Sequence, residues 1–86
     1  MIQISKCARW FNSDDGAVVF NITTGRYVGL NKTGTLIWLE LTAGRELETV
    51  EDHLAAQFDV SRSTIKADLD SFISALSHYE LIELDR

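Results

Sequence analysis

Two histidines, one cysteine and a few acidic pairs are the residues of this 86-residue chain whose types could support catalysis or metal binding. Their spacing argues against both. His53 and His78 fall on separate predicted helices, neither with an i, i+4 partner, so each reads as a surface side chain rather than a general base or ligand. Cys7 is the lone cysteine. It has no second thiol for an internal disulfide and no nearby histidine at zinc spacing, and it reads as a small apolar strand residue. Asp14 and Asp15 are turn chemistry. Asp68 and Asp70 are two apart on a helix and therefore point to different faces. Gly25, Gly29 and Gly34 lack the strand–loop–helix spacing that cradles a phosphate. The sequence thus predicts neither an enzyme, nor a metal site, nor a bound cofactor.

The cations allow a second test, for nucleic acid. Residues 47–82 have the outline of a helix-turn-helix. Leu54-Ala55-Ala56 precedes the turn Phe58-Asp59-Val60-Ser61, Thr64-Ile65 opens the next helix, and Leu81-Ile82 closes it. In a DNA-binding protein that helix would enter the major groove, and Lys and Arg would neutralise phosphates. The charges run the other way. Residues 1–45 carry five Lys/Arg against three Asp/Glu, whereas residues 46–86 carry three against ten. The helix-turn-helix half would present carboxylates to a polyanion. A winged-helix DNA-binding regulator therefore stands as the weaker alternative, and no nucleic-acid partner is expected.

The elements that position these residues can be read from periodicity and turn chemistry. Cys7–Phe11 is β-prone and ends in Asn12-Ser13-Asp14-Asp15-Gly16, where Asp-Gly signals a hairpin. Ala17–Ile22 is a second strand, Thr23-Thr24-Gly25 a tight turn, and Arg26–Leu30 a third strand, making an antiparallel meander. Asn31 or Thr33 can cap a first helix whose broad apolar surface comprises Leu36, Ile37, Trp38, Leu39 and Leu41, with Gly44 at its left-handed end. Leu47, Val50, Leu54 and Phe58 line one face of a second helix. Ser61 caps a third, striped by Ile65, Leu69, Phe72, Ile73 and Leu76 and ending near Tyr79. Leu81, Ile82 and Leu84 form an apolar tail that folds back on the body.

The expected fold is therefore α+β and winged-helix-like, a three-stranded antiparallel sheet followed by three helices, with residues 1–86 forming a single domain. Apolar residues at 45% and charged residues at 24% fit a globular chain rather than a disordered one. No apolar run approaches the ~20 residues that span a bilayer. The first residues lack the apolar core of a signal peptide, so a cytoplasmic location without a membrane partner is expected.

A meander of three strands leaves its first and third strands as edges. Unpaired N–H and C=O groups on such an edge are a template for another extended chain. In this β-augmentation the main chain supplies affinity and neighbouring pockets supply specificity. The third strand suits it: it has no proline, and Gly29 lets another backbone approach closely. The third helix beside it would make a groove, with apolar anchoring residues and with Asp68 to hold a cation or a hydroxyl. Proline at Val28 is expected to remove a donor from the guest, provided that N–H faces outward. A homodimer formed through the same edge is the other arrangement the strand allows.

Asp15-Gly16-Ala17-Val18-Val19, Thr24-Gly25-Arg26-Tyr27-Val28-Gly29-Leu30-Asn31, Thr33-Gly34-x-x-Ile37-Trp38 and Asp68-Leu69-x-x-Phe72 stand in the order seen in PqqD-like proteins. The chain resembles that family from about Ser5 to Leu84, most specifically in Gly-Arg-Tyr-x-x-Leu-Asn-x-Thr-Gly. The resemblance implies a RiPP recognition element, a domain that binds leader segments of ribosomally made, modified peptides. It places the leader as an added strand along Arg26, Tyr27, Val28, Gly29 and Leu30, facing Asp68, Leu69, Phe72 and Ala75 of the third helix. Within the family, a free-standing chain of this length most resembles the leader-binding B protein of lasso-peptide pathways, which hands its precursor to a cysteine protease acting as leader peptidase. A PqqD-type chaperone of pyrroloquinoline quinone synthesis, serving a different modifying enzyme, is the alternative. Lasso leaders typically carry a Tyr and a Pro a few residues apart, which a hydrophobic pocket in this groove would suit.

Overall fold

A computed structural model describes residues 2–84. The elements run β1 (Ile2–Ile4), β2 (Ala8–Ser13), β3 (Gly16–Asn21), β4 (Tyr27–Leu30), α1 (Lys32–Thr42), α2 (Leu47–Gln57), α3 (Arg62–His78) and β5 (Ile82–Leu84). Strands β2, β3 and β4 form one antiparallel sheet in that order, and β1 and β5 form a second, two-stranded sheet. The meander and the three helices match the α+β architecture expected from the sequence. The second sheet was not expected. It pairs Ile2 with Leu84 and Ile4 with Ile82, and Ser5 N–H extends it by donating to Leu81 C=O at 3.0 Å. Two three-residue strands from opposite ends of the chain are too short to announce themselves by period. The apolar tail does fold back through Leu81 and Ile82, both buried; the Leu84 side chain lies outside the described residues.

The β2–β3 hairpin turns over Asp14-Asp15, with Ser13 opposite Gly16. Glycine is required directly after the turn, at the first residue of β3, by contact. A Cβ on Gly16 would lie 1.8 Å from the carbonyl oxygen of Leu30, so the end of β4 crosses the hairpin where only a bare backbone fits. The register pairs Ala17 with Leu30, Val18 with Gly29, Val19 with Val28 and Phe20 with Tyr27. Side chains alternate across the sheet. Ala17, Val19, Val28 and Leu30 face the helices, whereas Arg9, Phe11, Val18, Phe20 and Tyr27 face outward. Val19 is fully buried, while Phe11 and Tyr27 are 57% and 69% exposed.

Helix α1 lies against the inner face, with Gly34, Ile37, Trp38 and Leu41 buried along one side. Leu36 and Leu39, part of the broad apolar surface expected there, are instead exposed. Trp38 is the centre of the core; its ring meets that of Trp10 edge-on, centroids 5.4 Å apart. Helices α2 and α3 complete the layer with Val50 and Leu54, and with Ile65, Leu69, Ile73 and Leu76. Each fully buried large apolar side chain contributes about 1.5–3 kcal/mol.

The helix ends follow local rules. Asn31 Oδ1 accepts from Gly34 N–H at 2.8 Å, and Ser61 Oγ accepts from Thr64 N–H at 3.3 Å. Both α1 and α3 close with the paired 5→2 and 6→1 bonds of a Schellman motif. In α1 these run from Gly44 N–H to Leu41 C=O and from Arg45 N–H to Glu40 C=O, at 3.0 and 3.2 Å. In α3 they run from Glu80 N–H to Ser77 C=O and from Leu81 N–H to Leu76 C=O, at 3.0 and 2.9 Å. The left-handed position is Gly44 in the first case (φ 82°) and, less comfortably, Glu80 in the second (φ 58°). No described helix is long and apolar enough to cross a membrane.

Candidate functional site

β4 is an edge of its sheet, and which of its backbone groups are free follows from the register. Asn21 N–H donates to Arg26 C=O at 2.8 Å, which makes that pair hydrogen-bonded. Pairs alternate along an antiparallel ladder. Val28 and Leu30 therefore turn their N–H and C=O toward β3, and Tyr27 and Gly29 turn theirs to the open side. This corrects one expectation: the Val28 N–H faces the sheet, so proline there would break the protein's own ladder. The donors available to a guest belong to Tyr27 and Gly29.

Beside that edge lies α3. Val28, Gly29, Leu30, Asn31, Gly34, Phe72, Ala75 and Leu76 line an open cavity of ≈ 190 Å³. A second cavity, also ≈ 190 Å³, continues toward the N-terminal end of α3, lined by Thr33, Ile37, Leu54, Phe58, Val60, Ile65, Asp68 and Leu69. Their α3 residues are related by a shift of seven: Ile65 to Phe72, Asp68 to Ala75, Leu69 to Leu76. Two helical turns separate the cavities, about 10 Å.

The residues singled out from the sequence are thus distributed unevenly. Val28, Gly29, Leu30, Phe72 and Ala75 meet at the first cavity. Asp68 and Leu69 meet at the second. Leu30 and Leu69 are buried and form wall rather than surface. Tyr27 contributes backbone to the edge, but its side chain is on the outward face. Arg26 precedes the strand, and its Nη1 donates to His78 C=O at 3.3 Å, at the C-terminal end of α3. Asn31, Thr33, Gly34, Ile37, Phe58, Val60 and Leu76 were not singled out as site residues. Gly34 stood in the quoted motif, but what it faces depends on how α1 crosses α3. Residue order does not reveal that crossing.

Several polar groups away from the groove are paired with one another. Glu40 is bonded by His53 Nδ1 and Arg45 Nε beside a ≈ 270 Å³ cavity between α1 and α2. The His53 hydrogen bond does most to hold the Glu40 carboxyl below its ordinary value, against partial desolvation, and Arg45 adds to the effect. Cys7 is partly buried and accepts from Thr23 Oγ1 at 3.1 Å. Arg62 is ion-paired with Asp52 and lies 3.8 Å from Glu51, so one of the two cations near the start of α3 is already neutralised. No cluster of three or more His, Cys, Asp or Glu suited to a metal occurs among the described residues. What the arrangement can do is hold an extended chain: free backbone donors and acceptors on one side, apolar pockets on the other.

Comparison with known proteins agrees with that geometry. The model of the family described as coenzyme PQQ synthesis protein D (PqqD) matches residues 16–82. No curated protein sequence matches the chain. Among solved structures, TbiB1 in complex with the TbiA(beta) leader peptide is 34% identical, with 98% of each chain covered and a TM-score of 0.91. Lasso peptide synthetase B1 complexed with the leader peptide is 22% identical, covering 96% of this chain and 98% of that one, with a TM-score of 0.87, a likeness of fold.

Proposed function

The chain belongs to the PqqD family, and on that premise we propose that it binds the leader segment of a ribosomally made precursor in lasso-peptide biosynthesis, and that it binds rather than catalyses. The observation that carries the reading is the open β4 edge beside the two cavities of α3. The leader adds a strand next to β4, pairing with the backbone of Tyr27 and Gly29, and seats apolar side chains against Phe72 and Ala75 and then against Phe58 and Leu69. The 34%-identical TbiB1, which binds a leader peptide, supports this use of the fold.

The spacing of the cavities constrains the guest. About 10 Å corresponds to three residues of extended chain. In a regular strand, residues three apart face opposite sides. The leader therefore leaves β geometry after passing β4 and takes a threefold, polyproline-like path across the N-terminal end of α1, where i and i+3 share a face. An aromatic anchor and a proline a few residues apart fit such a path.

Delivery requires a second surface. A leader strand beside β4 would extend the sheet and with it the outward row of Phe11, Phe20 and Tyr27, two of them well exposed. The processing enzyme, a leader peptidase of the cysteine-protease type, docks on that row. Isothermal titration with a synthetic leader of the precursor from the same pathway tests the binding, and a folded protein giving no heat refutes it. Phe11→Asp tests the docking: it should leave leader affinity unchanged and slow leader removal by the peptidase.

A further inference from the structure

Gly34 is the third residue of α1 and is buried. A glycine inside a helix costs about 0.5–1 kcal/mol relative to alanine, so its presence needs a reason. Backbone conformation does not supply one, because Gly34 is not among the residues with positive φ. Its N–H bond to Asn31 Oδ1 would be made equally by alanine. Packing does not supply one either. A Cβ at Gly34 would lie 3.4 Å from each of Asn31 Oδ1, Leu30 Cβ and Phe72 Cε1, contacts that a methyl group tolerates. Those three residues all line the cavity beside β4, as does Gly34 itself. The methyl would stand in the wall of the cavity, in room the folded chain leaves unfilled.

We propose that Gly34 is a specificity-determining residue: by lacking a side chain it sets the depth of the β4–α3 cavity, and so selects leaders whose anchoring side chain there is bulky and apolar. Ala75 leaves the same space open from α3, while Gly29, whose Cα faces the outer side of the sheet, lends the cavity only its backbone. The inference rests on the leader-binding reading and deepens it by naming the residue that sets how large an anchor the cavity takes.

The test is Gly34→Ala, titrated with the synthetic leader and with a set of its variants in which each apolar residue in turn becomes alanine. The melting temperature should hold or rise, because alanine favours the helix. Affinity for the unmodified leader should fall roughly tenfold or more, since adding a methyl to a filled pocket overpacks it. For one leader variant, the one with its anchor trimmed, the two proteins should bind within about twofold of each other, as a coupled pair requires. Equal affinity of both proteins for the unmodified leader overturns the proposal, as does a uniform loss across all leader variants. A clearly lower melting temperature for Gly34→Ala also overturns it, because packing would then be the reason for glycine. If the unsubstituted protein binds no leader, the parent reading fails instead, and the two failures are distinct.

Discussion

Gly29→Pro is the sharpest probe of the edge. Gly29 N–H points to the open side, and a side chain on its Cα would meet nothing within 4 Å. Proline is tolerated on edge strands when its missing donor faces outward. It also requires the preceding residue to be extended, and Val28 lies within β4. The fold should therefore survive. A guest carbonyl that loses its donor in a half-buried groove costs about 1–3 kcal/mol, or about 5- to 150-fold in Kd. Val28→Pro is the contrasting variant. Its N–H belongs to the β3–β4 ladder, so it should lower stability by about 1–3 kcal/mol, a fall of several degrees in Tm for a domain this size. Titration calorimetry and thermal melting by circular dichroism on the two variants read both effects. The assignment of outward and inward donors is wrong if Gly29→Pro binds the leader like the parent while Val28→Pro, still folded, does not.

Three further outcomes follow from the rest of the chain. Glu80→Gly should raise stability by about 0.5–1 kcal/mol in urea unfolding, because the Schellman position of α3 holds a left-handed non-glycine residue. Asn21→Ala should lower it by about 2–3 kcal/mol, since this buried side chain donates to Glu80 C=O at 2.9 Å and accepts from Thr23 and Thr24 N–H at 2.8 and 3.0 Å. Glu40 has a carboxyl held below its ordinary value of 4.5 by His53 and Arg45. Its contribution is therefore present above that value and lost as the pH falls through the lowered one. The stability gap between the parent and Glu40→Gln should accordingly narrow on acidification from pH 5.5 to 3, by a modest amount that added salt reduces.

Most of the three-strand, three-helix layout was legible because its signals are local. Asn31, Ser61 and Gly44 mark helix ends by chemistry that needs no partner, and the stripe Ile65, Leu69, Ile73, Leu76 fixes the buried face of α3 by period alone. What was not legible depended on distant segments meeting. The β1–β5 pair joins the first residues to the last. Asn21 looks like an ordinary turn residue until the C-terminal end of α3 arrives to receive its amide. The groove was half legible: the edge strand and the apolar side of α3 could be read, but the direction of the Val28 N–H depends on the hydrogen-bonding phase of the hairpin. That phase was set by the Asn21–Arg26 pair, invisible in composition or alternation.

The sheet has two edges, and their undersides explain why β4 should receive the guest. β2 is longer, six residues against four, and on main-chain bonding alone it would be the better template. Beneath β2, however, Trp10 already lies edge-on against Trp38, filling the space where inward side chains of an added strand would go. The cavity near its far end is lined by Asn12, Ser13, Asp14, Gly16, Lys32, Thr35 and Leu36, so Leu36 is the one large apolar side chain there to grip an anchor. A strand on β2 would gain hydrogen bonds that water also offers, a net of about 1 kcal/mol each at most sites, without selectivity. A strand on β4 gains those bonds together with two apolar pockets, and burial at roughly 25 cal/mol per Å² then favours particular side chains over others. Choice of edge and choice of sequence thus have the same physical origin: small residues at 34 and 75 leave open beside one edge of the sheet what Trp10 closes beside the other.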